Sequence, residues 1–392
     1  MNESDPVAAG TDRLRERLGD RGLLADPKLS DVLTRVPRHR FLPGRVWVDG
    51  PGGWYVPLYR DRDPDAWWRL AYADEPVVTQ VDDGREPAER GGAEATSSAS
   101  MPSLVFAMLA YLDLSDGHRV LEIGTGTGFN AGLLCARLGA SNVTTVEIDP
   151  EMGESARTAL AGVGFNPEVV LGDGANGYAP KAPYDRVVAT CAVHQVPYAW
   201  VEQCRPGGVI LTPWGTPYHN DGLLKLRVGG DGSASGRFVG GSAFMFLREQ
   251  RTPLVRISQV IRDDHEPAVS TTGLDVREVL SGPGIGLVVA LHVPKAWFVV
   301  YRNSERPERF TYWIVATDHA SWASVVYEPG ETEWAVEQYG LRRLWDEVET
   351  AYEWWQHTGR PERERFGLTV TSDSQRVWLD HRDSADWWET PR

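Results

Sequence analysis

The run Val120-Leu121-Glu122-Ile123-Gly124-Thr125-Gly126-Thr127-Gly128-Phe129-Asn130 is the stretch of this sequence best suited to holding a ligand. Glycines in a strand-to-helix turn permit positive φ and close backbone approach, so a nucleoside can lie against the sheet edge beside the following helix N-terminus. A dinucleotide fingerprint asks for a third small residue where Phe129 stands; Gly-x-Gly-x-Gly preceded by an acid suits S-adenosyl-L-methionine. Glu147, 23 residues past Gly124 at the end of the next strand, can accept hydrogen bonds from both ribose hydroxyls. Gly172-Asp173-Gly174 places a carboxylate where an adenine amino group would be, between glycines that let the ring approach; a turn aspartate is the plainer reading. The three positions close three successive strands, at the carboxyl edge where open α/β sheets bind ligands.

After the fourth strand the chain reads Thr190-Cys191-Ala192-Val193-His194, and small residues there leave room for a methyl acceptor. His194 is either a base or a satisfied structural histidine, the second being the ordinary case. Cys191 and Cys204 read as small buried apolar residues, with no neighbour to activate a thiolate.

These residues need a scaffold. From Pro102 to Leu226 strand and helix alternate, which gives a doubly wound, Rossmann-like α/β sheet covered on both faces. Strands are expected at His118–Ile123, Val143–Ile148, Glu168–Leu171, Tyr184–Ala189 and Val209–Pro213, and helices at Pro102–Leu112, Asn130–Leu138, Glu151–Ala161 and Pro197–Gln203. Leu223–Val228 and Arg237–Leu247 read as a closing hairpin. Upstream, Thr11–Gly19 and Asp31–Val36 form an N-terminal helical cap, and Asp82–Ser100 reads as a mobile, lid-like surface loop. The division is then residues 1–95 for cap and loop, 96–250 for the methyltransferase core and 251–392 for an additional α+β domain. That last part holds ten of the sixteen tryptophans; its clearest element is a helix over Thr332–His357, with Leu341, Leu344, Trp345, Val348, Tyr352 and Trp355 on one stripe.

A formal charge of −15 argues against a broad phosphate-binding face, so nucleic acid is not the expected partner. No apolar run approaches the ~20 residues of a membrane span. The polar N-terminus lacks the core of a secretion signal, and three cysteines make neither a disulfide framework nor a metal site, so a cytoplasmic enzyme is expected.

The middle of the chain resembles the protein-L-isoaspartate O-methyltransferase family. Ser98-Ala99-Ser100-Met101-Pro102 is similar to its Thr-x-Ser-x-Pro active-site loop, and Val120–Asn130, Glu147, Gly172-Asp173-Gly174, Ala182–Asp185 and Arg205-Pro206-Gly207-Gly208 follow in order. Val36-Pro37-Arg38 and Ala71-Tyr72-Ala73-Asp74 match upstream. The resemblance runs from about Val32 to Leu247, interrupted at Gly44–Ala66 and Asp82–Ala95. It implies a class I methyltransferase fold, a carboxylate acceptor, S-adenosyl-L-methionine as cofactor and S-adenosyl-L-homocysteine as product. It further implies that Ser100 is the active-site hydroxyl, and that Ser98, Glu122, Gly124, Thr125, Gly126, Gly128, Asn130, Glu147, Asp173, Gly174 and Thr190 form the cofactor site, with no metal. The plain alternative is that Ser98 or Ser100 only caps the helix beginning near Pro102.

The long C-terminal extension, with Phe366-Gly367-Leu368-Thr369-Val370-Thr371 and Val377-Trp378-Leu379-Asp380, resembles variants of this family encoded with ribosomal peptide natural products: graspetides, lanthipeptides and lasso peptides. That implies a cyclised precursor peptide as partner, methylated on an ordinary aspartate whose ester closes to an aspartimide. Repair of isoaspartyl residues in damaged proteins, a small-molecule methyltransferase and a catalytically silent peptide-binding chaperone are the alternatives.

Overall fold

The computed structural model describes residues 4–85, 91–253, 255–282 and 284–390. By contacts the chain forms two compact units: residues 1–191, 197–212 and 225–234 make the first, and 192–196, 213–224 and 235–392 the second.

The first unit opens with α1 (Ser4–Asp20) and α2 (Pro27–Arg35), the expected helical cap. Both start earlier than the apolar pattern suggests. Asp26 accepts from the Lys28 N–H and Pro27 stands at the first helical position, where an absent N–H costs nothing. Then follow β1 (Arg45–Asp49), β2 (Tyr55–Tyr59), α3 (Pro64–Ala71), β3 (Val77–Val81) and β4 (Ala95–Ala99). The four strands form an antiparallel sheet in the order β2-β1-β3-β4, unforeseen in the sequence reading.

Strand β4 corrects the expected loop over Asp82–Ser100. Val78 pairs with Ser98 and Gln80 with Ser97, while Thr96 and Ala99 are buried. The Asp82 carboxylate accepts from the Ala93 and Glu94 N–H groups, tying the turn shut. Small polar side chains concealed the strand because burial and cross-strand partners, not apolar alternation, hold it. Part of that expected loop, residues 86–90, lies outside the described residues.

The alternating core comprises α4 (Pro102–Tyr111), β5 (Val120–Ile123), α5 (Phe129–Leu138), β6 (Val143–Glu147), α6 (Pro150–Gly162), β7 (Glu168–Leu171), β8 (Tyr184–Ala189), α7 (Tyr198–Gln203) and β9 (Cys204–Trp214). Strands pair in parallel in the order β7-β6-β5-β8-β9, which is the doubly wound class I methyltransferase sheet. Every residue of β5 and β6 is buried, as a sheet covered on both faces requires. Strand β9 begins earlier than Val209 because Arg205–Gly208 is a bulge: the register skips between Tyr184/Cys204 and Arg186/Val209, with Gly207 at φ +79°.

Strands β10 (Gly222–Val228) and β11 (Ala234–Gly240) follow, and with β9 they contribute residues to both units. The hairpin is present, but β11 ends before Leu247: past Gly240, Ser242 Oγ donates to the Gly222 carbonyl and Asn220 Nδ2 to that of Phe244, so side chains replace the ladder.

In the second unit lie α8 (Ile257–Val260), β12 (Ala268–Thr272), α9 (Val276–Ser281), α10 (Ile285–His292), β13 (Ala296–Arg302), β14 (Phe310–Ala316), β15 (Trp322–Tyr327), β16 (Trp334–Tyr339), α11 (Leu344–His357), β17 (Phe366–Val370), β18 (Gln375–Leu379) and β19 (Trp387–Glu389). An antiparallel sheet of order β12-β16-β15-β14-β13 is its centre. The helix expected over Thr332–His357 is half strand. Trp334, Val336 and Gln338 are buried and alternate with exposed Ala335 and Glu337, a period of two. Leu341 is 101% exposed, in the turn after Gly340. Leu344, Trp345, Val348 and Trp355 do bury one face of α11.

Candidate active site

The loop from β5 to α5 turns through three glycines, Gly124, Gly126 and Gly128, with φ of +89°, +54° and +85°. Only glycine takes that region without strain. A Cβ on Gly124 would lie 2.9 Å from Thr190 Oγ1. That hydroxyl donates to the Gly124 carbonyl at 2.5 Å, so Thr190 holds the loop as well as lining it. Gly126 faces open space apart from Ser97 Oγ and the Ser98 carbonyl, 3.7 and 3.9 Å from where its Cβ would be. Strand β4 therefore borders the loop.

Beneath it, three expected cofactor residues bind each other. Asn130 Nδ2 donates to Glu122 Oε1 at 2.7 Å, Thr145 Oγ1 to Glu122 Oε2 at 2.6 Å, and Thr125 Oγ1 lies 2.7 Å from Thr145 Oγ1. Glu122 has no exposed surface, so its expected contact with cofactor is corrected to a support beneath the loop. Burial raises its carboxyl to about 7, against the lowering effect of Thr145 and Asn130. Thr145 was missed. Its signal was a hydroxyl in the middle of a strand otherwise fit for burial.

Glu147 ends β6 as expected. Its Oε2 accepts from the Gly126 N–H at 2.8 Å and its Oε1 from the Asp149 N–H at 3.0 Å. An ionised carboxylate has about four acceptor sites, so two ribose hydroxyls can still be received. Asp149 caps α6 through Oδ1 and takes a hydrogen bond from Gln80 Nε2 on Oδ2, joining β3 to this edge. Asp173 realises the plainer reading with one oxygen: Oδ1 caps a turn through the Ala175 N–H at 2.9 Å. Oδ2 has no other partner among the described residues and is left for a ligand. The Gly174 carbonyl is fixed by Trp200 Nε1 at 2.8 Å. Left-handed glycines, Glu147 with spare acceptor sites and the free Asp173 oxygen together fit a nucleoside with two ribose hydroxyls and an amino-bearing base.

The segment expected to meet the acceptor is assembled from distant parts of the chain. Helix α4 is not capped by a serine: Met101 occupies the cap position without a side-chain bond, and Asp74 Oδ1 accepts the Ser103 N–H at 2.8 Å. The capping alternative for Ser98 and Ser100 is thereby removed. Ser100 is half-buried, and its hydroxyl has no partner among the described residues. Its backbone is held by Arg38, a guanidinium 1% exposed that donates to the carbonyls of Leu70, Ala71, Ala73, Glu75, Ala99 and Ser100. Burial lowers Arg38 to about 10, offset in part by Asp74, so it stays charged at neutral pH.

The remaining candidates are structural. Burial pushes the Cys135 and Cys204 thiols up to about 12, so neither is a thiolate at neutral pH, and Cys191 is half-buried where burial was expected. Burial lowers the pKa of His194, and its N–H is held by Gln250 Oε1. Among the described residues no cluster of His, Cys, Asp and Glu could hold a metal, and no helix is long and apolar enough to cross a membrane.

Residues 64–252 match the family model "Protein-L-isoaspartate(D-aspartate) O-methyltransferase (PCMT)". The chain is 33% identical to the protein-L-isoaspartate O-methyltransferase of Methanopyrus kandleri over 251 residues, covering 63% of this chain and 95% of that one. To the enzyme of the same name from Pyrococcus horikoshii it is 31% identical over 236 residues, 60% of this chain and 91% of the relative. A solved structure named protein-L-isoaspartate O-methyltransferase superposes with a TM-score of 0.53 at 20% identity, over 95% of this chain and 100% of that one.

Proposed function

The chain belongs to the protein-L-isoaspartate O-methyltransferase family and is an S-adenosylmethionine-dependent carboxyl O-methyltransferase, and from that premise we propose that its acceptor is an aspartate carboxylate in a constrained ribosomal precursor peptide. The observation that carries the reading is Ser100: a hydroxyl free of any capping duty, at the end of β4, next to the strand that borders the glycine loop.

When bound, S-adenosylmethionine supplies an electrophilic methyl group on sulfur. Glu147 would hold the ribose and Asp173 the base, while the glycine loop allows close approach. An acceptor carboxylate with an ordinary pKa of ~3.9 is ionised at neutral pH, so no base is needed to activate it. Ser100 donates its O–H to that carboxylate and orients it, a contribution of placement rather than proton transfer. After esterification the next residue's amide nitrogen attacks the ester carbonyl. A C–N bond forms, the C–O bond to methoxide breaks, and the amide proton leaves with the methanol.

The constrained-peptide substrate is supported by the residues past 252, which lie outside the family match and make up most of the second, tryptophan-rich unit. We assign that unit to peptide recognition. Repair of isoaspartyl residues is the second reading, favoured by the names of the relatives and by a like-shaped chain that aligns over 95% of this one. Three free thiols suit the cytoplasm in either case. Mass spectrometry of three peptides incubated with enzyme and cofactor decides: isoaspartyl, linear aspartyl and cyclised aspartyl. Esterification of the cyclised peptide alone is expected; esterification of the isoaspartyl peptide alone would establish repair.

A further inference from the structure

Strand β13 is an end strand of its sheet: β14 lies on one side and, among the described residues, no strand on the other. Both of its faces are nevertheless packed. Trp297 and Val299 join the cluster of Ile257, Val260, Val315 and Trp322, while Phe298 meets Tyr218 and Tyr312 at ring distances of 4.9 and 5.5 Å. What no strand among the described residues pairs with is the lateral edge, and its last two residues, Tyr301 and Arg302, are exposed. Exposed edges are usually blunted by charge or proline, yet β13 has no proline and no charge before its last residue, Arg302.

The edge runs into a cleft of ≈ 390 Å³ lined by Arg277, Arg302, Glu308, Phe310 and Tyr327 among others. Arg302, Phe310 and Tyr327 are register partners across β13, β14 and β15, and the two rings stack at 4.8 Å. A guanidinium covers each ring: Arg302 lies 5.5 Å from the Phe310 centroid and Arg277 4.7 Å from that of Tyr327. Arg277 is paired with Asp275, and Glu308 with Arg306. Arg302 makes no ion pair among the described residues; its one bond there is to the Pro307 carbonyl at 3.3 Å. In a chain of net charge −15, Arg302 is thus an exposed cation without an ion pair among the described residues, beside an aromatic floor at the end of β13.

We propose that this edge binds an extended acidic peptide segment, pairing main chain to main chain with β13 and setting a side-chain carboxylate on Arg302. Strand addition supplies sequence-tolerant affinity, and the guanidinium, oriented by its ring, supplies the preference for acid. The inference rests on the reading that the substrate is a peptide, and it gives the second unit a named recognition surface.

The test uses the full-length chain and a labelled octapeptide of alternating threonine and glutamate, which has no aspartate to methylate. Fluorescence anisotropy is expected to show binding that weakens about tenfold with Arg302→Glu, partly recovers with Arg302→Lys, and falls when alternate peptide nitrogens are methylated. Arg302→Glu should bind S-adenosylmethionine as tightly as the unaltered chain, which shows that it is folded, and a short isoaspartyl and a cyclised aspartyl peptide are offered to both chains for methylation. Failure of both peptides to be methylated by either chain would count against the substrate reading and leave the binding result separate. Equal binding of a threonine–lysine octapeptide, or indifference to Arg302→Glu and to N-methylation, overturns the proposal. So does a chain that sediments as a dimer and becomes monomeric with Tyr301→Lys, because a second copy would then occupy the edge.

Discussion

The two sides of the active site are built on opposite plans. On the cofactor side, the supports are near in sequence or on adjacent parallel strands: Glu122 reaches Asn130 eight residues on and Thr145 on the next strand, and Glu147 reaches Gly126. On the acceptor side, Ser100 is held by Arg38, 62 residues away, and its helix is capped by Asp74, 29 residues from Ser103. A nucleoside site can be made from one local turn and the sheet edge. Ser100 follows the last ladder residue of β4 and has to borrow its hydrogen bonds, and a buried arginine supplies those to the Ala99 and Ser100 carbonyls.

The largest expected effect follows from that dependence. Arg38→Met removes a buried charged donor from six carbonyls, of which that of Leu70 keeps the Ala73 N–H. Loss of about 3–5 kcal/mol of stability is expected, as for breaking a buried charged network. Urea denaturation measures it. A variant within 1 kcal/mol of the parent, by the ~1 kcal/mol scale of a single net hydrogen bond, would show that the loop holds itself and the contrast between the two sides is false. Next comes Glu147→Ala, on the local side: calorimetric titration should show cofactor binding weaker by about 1.5–3 kcal/mol, with the melting temperature little changed. Asp173→Ala should act in the same direction, and more weakly because one of its oxygens is committed to a turn. Third, Ser100→Ala should lower turnover about tenfold while cofactor affinity stays unaltered, the loss of one oriented hydrogen bond. A fall in helix content with normal turnover would return the serine to a capping role.

The same contrast explains what could be read from the sequence. The parallel core, the glycine loop, Glu147 and the strand-end Asp173 were legible because each rests on local spacing and on a sheet rule. Strand β4 was not: its serines and threonine carry no apolar alternation, and its pairing with β3 is decided by partners across a connection. Arg38 and Asp74 stood out only through resemblance, since no local pattern says that an arginine will be buried among carbonyls. In the second unit Leu341 extended a helical stripe by accident. Its neighbours Trp334, Val336 and Gln338 obey a period of two that the aromatic-rich composition masked, and the chain turns at Gly340 before α11 begins.

The effect expected of Glu122 shows as a slope with pH rather than as a difference at one pH. Its carboxyl is raised in the folded chain from 4.5 to about 7 by burial, so between those values the native state holds a proton that the unfolded chain has released. Stability then falls as pH rises through that window, by at most about 1.4 kcal/mol per pH unit for one proton, and levels off above 7. Glu122→Gln keeps the shape and cannot titrate. At low pH, where Glu122 is protonated, the two chains should differ by only about 1 kcal/mol, the scale of a rearranged hydrogen bond. Urea midpoints from pH 4.5 to 8 should therefore converge at the acid end, with the parent declining relative to the variant as pH rises. Parallel curves would mean that Asn130 and Thr145 stabilise the ionised form fully. The buried network would then act on cofactor binding through a fixed negative charge beside Glu147, and Glu122→Gln would alter affinity at every pH.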